Sequence, residues 1–119
     1  MAKTSKVEEA LEKCIELGKI LAQTDEYREV KKAEQNLLHD AEARRLVEDL
    51  QKLQQEQLKK QMAGMEISEE EKKKMFETER TAIQHPVVRA SHMANAGFQD
   101  LMKEISNKIR EGIRLYSEK

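Results

Sequence analysis

Few residues in this chain have side chains suited to bond-making chemistry. Cys14 is the sole thiol, and His39, His85 and His92 are the only histidines. A reactive or metal-binding thiolate needs nearby positive charge and access to solvent. Cys14 falls on an apolar stripe, and its neighbour Lys13 points roughly 100° away around a helix. It therefore reads as a small buried hydrophobe. A helix-borne zinc pair places two histidines at i and i+4 on one face. His85 and His92 are seven apart with Pro86 between them, and His39 has only Asp40 and Glu42 beside it. All three read as polar or capping side chains. The chain has 23 carboxylates among 22 lysines and arginines, for a net charge of -1. Acid–base catalysis needs carboxylates in unequal, partly buried environments. Glu8, Glu9, Glu12 and Glu16 instead flank the apolar stripe of their helix, as a salt-laced solvent face does. There is no Ser–His–Asp order, glycine-rich phosphate loop or HExxH. No catalytic residue, cofactor-binding residue or metal ligand is assigned, and no enzyme activity is expected.

Nucleic-acid binding is the other chemistry to weigh. Residues 1–50 carry 9 cations and 12 anions, and residues 86–119 carry 6 and 4. Lys103, Lys108, Arg110 and Arg114 form the local basic group, but Lys72, Lys73 and Lys74 directly follow Glu69, Glu70 and Glu71. Phosphate binding needs a concentrated basic patch, and base stacking needs aromatics. The chain has two Tyr, two Phe and no Trp. Direct RNA or DNA binding is therefore the weaker alternative to protein–protein contact.

What remains is the framework. Charged and apolar residues each make up 38% of 119 residues, and Pro occurs once. That profile is one of long helices in a single domain, residues 1–119. No apolar run approaches the ~18 residues of a membrane span. MAKTSKVEEALEKC has no uncharged apolar core of a secretory signal, so a soluble cytoplasmic protein is expected.

The spacing predicts five helices, near 6–22, 25–38, 41–63, 69–84 and 87–116. Ser5 and Glu8 have capping-box spacing, as do Ser68 and Glu71. Thr24 or Asp25 can cap the second helix and Asp40 the third. Gly64 suits a left-handed stop and Pro86 the first helical position. The stripes are Val7, Leu11, Cys14, Leu17 and Leu21 on the first helix, and Tyr27, Val30, Ala33 and Leu37 on the second. On the third, Ala43, Leu46, Val47, Leu50, Leu53, Leu58 and Met62 are expected to face inward. Met75, Phe76, Ala82 and Ile83 serve the fourth. Phe98, Leu101, Ile105, Ile109, Ile113 and Tyr116 serve the fifth, with a mean step of about 3.6, the α-helical period.

The third and fifth helices should reach about 33 and 45 Å, whereas a compact domain of this size has a radius of gyration of about 13–14 Å. An elongated all-α bundle is therefore expected, with those two long helices antiparallel. Such a layer exposes its apolar stripe unless another layer covers it, and a homodimer is the economical cover. The alternative is a monomer whose short helices cover the long ones. The residues expected to form the interface are Leu46, Leu50, Leu53 and Gln57 with Phe98, Leu101, Ile105 and Ile109. They would serve equally well as intramolecular core. Gln57 continues Leu46, Leu50 and Leu53 at 4-3-4 spacing, where a polar residue can fix register.

The stretch LGKILAQTDEYREVKKAEQNLLHDAEARRLVEDLQKLQQEQLKKQMAGMEISEEE resembles the YlbF/YmcA family of small helical bacterial proteins. The matching elements are Leu17-Gly18 followed by Thr24, Glu26 and Tyr27, then Asp40, Glu42 and Ala43 before the Leu/Gln helix. Gln61-Met62-Ala63-Gly64 with Glu66, Ile67 and Glu70 looks closest to the YheA-type branch. The resemblance spans about residues 5–115. It implies an all-helical, often dimeric cytoplasmic protein. It also implies a regulatory role in competence, sporulation and biofilm formation, through a complex that associates with an endoribonuclease. Some relatives carry iron–sulfur clusters on cysteines near the C-terminus. Here IREGIRLYSEK has no cysteine, so no cluster is carried over.

Overall fold

The computed structural model describes the backbone of residues 2–118 and the side chains of residues 5–118. Five helices follow in order: α1 (Ala2–Leu21), α2 (Asp25–Leu38), α3 (Ala41–Met62), α4 (Glu69–Gln84) and α5 (Pro86–Ser117). No strand occurs among the described residues. No helix there is long and apolar enough to cross a membrane.

Local chemistry sets most boundaries. Thr24 Oγ1 accepts a hydrogen bond from Tyr27 N at 3.2 Å. Asp40 Oδ1 accepts from Ala43 N at 2.9 Å. Ser68 Oγ accepts from Glu71 N at 3.1 Å, and Ser68 N donates back to Glu71 Oε1 at 3.4 Å. Each satisfies a donor that the first helical turn leaves without a partner. α3 stops in a Schellman motif: Met65 N donates to Lys60 O and Gly64 N to Gln61 O. Gly64 holds φ at 73°, where a Cβ would be strained. Ser5 does not cap α1; the helix already starts at Ala2 and Ser5 lies inside its first turns.

The molecule is elongated, 55 × 38 × 27 Å, with a radius of gyration of 19.8 Å. α5 alone, 32 residues, runs about 48 Å. Its main partner is α2, while α3 lies mainly along α4. The long helices α3 and α5 meet over a shorter stretch. α2 takes the inner part of α5 because Tyr27, Val30, Ala33 and Leu37 present one continuous face to it. Tyr27 and Phe98 rings pack at 5.9 Å between centroids, tilted by 58°.

The interior is made of small residues. Ala33, Ala43, Ala82 and Val88 are the buried side chains among those described, and Ala43 is 0% exposed. Ala43, Ala82 and Val88 form one cluster where α3, α4 and α5 converge, with Leu37, Leu46, Val47 and Val87 packed around it.

Three expectations about the interior change. Leu58 and Met62 do not face inward; Met62 is 80% exposed. The α3–α4 seam runs through Leu46, Leu50, Leu53, Gln57 and Lys60, all half-buried. That heptad line turns Leu58 and Met62 away. Phe76 also points outward, at 64% exposure. Cys14 is exposed rather than buried, because α1 packs on no other helix to a comparable extent.

Candidate interaction surfaces

Four helix termini converge at the small-residue cluster, and the capping side chains of two of them face each other. His85 precedes Pro86, and its Nδ1 accepts a hydrogen bond from Val87 N at 3.2 Å, capping α5. An accepting Nδ1 leaves the neutral ring's proton on Nε2. Nε2 faces Asp40 Oδ2 at 3.7 Å. Asp40 is itself the cap of α3, so the side chains that cap α3 and α5 face each other. His39, by contrast, sits at the end of α2 with Nδ1 2.7 Å from Gln35 O. His92 faces a groove.

At the other end of α3, the seam closes on polar groups. Gln57 Nε2 donates to Glu71 O at 3.5 Å. Lys60 Nζ pairs with Glu71 Oε2. The Lys60 bond, aided by the bonds from Ser68, holds the Glu71 carboxyl below its ordinary pKa. Glu34 raises Lys31 by a hydrogen bond and its charge. Most other ion pairs join residues three apart on one exposed helix, where such pairs contribute little.

Around this frame lie two open apolar grooves. The first has a volume of about 550 Å³ and is bounded by Leu50, Phe76, Ile83 and Val88, with Arg80 and His92 at its margin. The second, about 640 Å³, lies between Leu17 of α1 and Leu101, Ile105 and Ile109 of α5.

These surfaces receive the residues the sequence singled out. Leu46 packs against the central cluster, Leu50 lines the first groove, and Leu53 and Gln57 lie on the α3–α4 seam. Phe98 is occupied by Tyr27. Leu101, Ile105 and Ile109 line the second groove, and Ile109 is 54% exposed. Leu50 of the α3 set and Leu101, Ile105 and Ile109 of the α5 set therefore border different grooves. Sequence reasoning missed Val88 and the Asp40–His85 link. Stepping back from Phe98 by threes and fours reaches Ala94, Ser91 and Val87/Val88, so Val88 had a signal. The Asp40–His85 link had none. Among the described residues, no three His, Cys, Asp or Glu side chains converge as metal ligands would.

This arrangement can hold partners by apolar contact along helices. Comparison with known proteins places the chain in a family. The family described as "Control of competence regulator ComK, YlbF/YmcA" matches residues 10–114. The chain belongs to this family. A UPF0342 protein of Shouchella clausii is 28% identical over 110 residues, covering 92% of this chain and 93% of that protein. A UPF0342 protein of Alkalihalophilus pseudofirmus is 28% identical over 100 residues, covering 84% and 85%. No solved structure matches the chain. As a YlbF/YmcA member, the chain falls in a group described by regulation.

Proposed function

We propose that this YlbF/YmcA-family chain is a non-catalytic adaptor that works as a cytoplasmic homodimer and presents helix faces to a protein partner. The partner would belong to an endoribonuclease-associated complex acting in competence, sporulation or biofilm control. The observation that carries this reading is the inversion of the usual interior. Among the described residues four small ones are buried, while Leu50, Phe76 and Ile83 border an open groove. Exposed apolar patches of this kind mark interaction sites. The contacting residues proposed are Leu46, Leu50, Leu53 and Gln57 on α3 and Phe98, Leu101, Ile105 and Ile109 on α5. Affinity capture from the native host, read by mass spectrometry, should recover an endoribonuclease or its associated factors. Phe76→Glu should abolish that capture. Recovery of neither protein, or equal recovery with the variant, would sink the adaptor reading.

A direct RNA-binding role has one observation in its favour. Lys103 and Arg110 border a shallow polar depression on α5 with Gln99 and Ser106. Against it, Lys108 and Arg114 are engaged by Glu111 and Glu118. An RNA complex would weaken steeply with salt. Absence of a retarded band at low salt removes this reading.

A further inference from the structure

A monomer of 13.8 kDa folded compactly exposes about 6,600 Å². This chain exposes 9904 Å². The excess, about 3,300 Å² per copy, more than covers the roughly 1,000–2,500 Å² per partner that obligate dimers remove from water.

The excess has a location. Leu17 brings α1 to the second groove beside α5, and α1 packs along no helix to the extent that the other helices pack on one another, so the two stand as the prongs of a fork. On one prong, Val7, Leu11 and Cys14 continue the line of Leu17, and all three are exposed. On the other, Ile109 and Ile113 continue the line of Leu101 and Ile105, and both are exposed. Most helical stability in proteins comes from packing of an amphipathic face, and the apolar face of α1, a helix of 20 residues, is uncovered. The flanking charges are complementary. Residues 5–16 carry four carboxylates and two lysines, and residues 101–117 carry four cations and two carboxylates.

Resting on the homodimer reading above, we infer that the α1–α5 fork is the self-association surface, and that its occupant is α1 of a second copy. α1 of each protomer lies on the outer half of α5 of the other, with its acidic flank against the basic one. A two-fold axis makes this contact twice with the same residues. The first groove, at Leu50 and Phe76, stays open in the dimer.

Sedimentation equilibrium of the full chain, with thiol labelling of Cys14, tests this. The unaltered chain should sediment at twice 13.8 kDa. The Cys14 thiol should react about tenfold more slowly as concentration drives assembly, because thiol reactivity follows access. Leu11→Glu and Ile109→Glu should each return the mass to a single copy, keep the circular dichroism of the remaining helices, and restore fast labelling. Phe76→Glu should leave the mass unchanged. A dimer that survives both fork variants, or that Phe76→Glu dissociates instead, overturns the fork assignment and leaves the homodimer standing. A single-copy mass for the unaltered chain, whether Cys14 is protected or not, overturns both.

Discussion

The junction of α3, α4 and α5 and the fork of α1 and α5 are built on opposite rules. At the junction, alanines and a valine let backbones approach closely, and Asp40 and His85 satisfy the helix starts beside them. At the fork, large aliphatic residues stand on well-formed helices with little of their own chain to touch. The contrast shows that the size of an apolar side chain does not decide whether it is inside. Close helix crossings select small residues, and large ones flank them or wait for another surface.

Substitutions can break or sharpen this contrast. The largest effect should come from Ala43→Leu, which forces extra methylenes into a site without space. It should lower stability by about 1–3 kcal/mol in denaturant melts. An unchanged midpoint would mean the junction is loose. Next, Asp40→Ala removes the α3 cap and the group facing His85. A loss of about 1 kcal/mol is expected, and His85→Ala in the same background should cost less than it does alone. Full additivity would show that the two caps are independent.

An acid titration should give a smaller effect, at the far end of α3. The Glu71 carboxyl is held low by Lys60, so its contribution is present above its unfolded pKa and fades as pH falls through the depressed folded value. Lys60→Met should flatten that part of the acid limb; an identical profile would discard the pair as a stabiliser. The smallest effect belongs to the fork. Leu11→Ala, in protein dilute enough to be single-copy, should change stability by less than about 0.5 kcal/mol. A loss of several kilocalories would place Leu11 inside its own chain.

Much of the fold was legible because helix starts and stops are short-range chemistry. Thr24, Asp40, Ser68 and Gly64 act on groups within a few residues, and a pattern that short is complete in the sequence. The stripes of α2 and the inner half of α5 were legible for a related reason. Periodicity identifies a face, and here the face had a partner. Periodicity does not say what covers the face. Cys14 and Met62 therefore lie open where burial was expected, and the turn of Leu58 away from the seam followed only once α4 fixed the line through Leu53, Gln57 and Lys60. The Asp40–His85 link was illegible for the plainest reason. Its two halves lie on different helices 45 positions apart, and nothing near either one points to the other. The grooves, too, arise from how helices diverge, which no local spacing encodes.

The contact between Tyr27 and Phe98 bears on the order of assembly. α3 and α4 are neighbours in sequence and can zip together across a short link, whereas α2 and α5 must first bring together positions 71 residues apart. Loop closure costs entropy before the contact repays it, so the late event in refolding should be the arrival of α5 on α2. A nascent chain would then carry a finished α3–α4 hairpin while its last helix is still seeking a place to land.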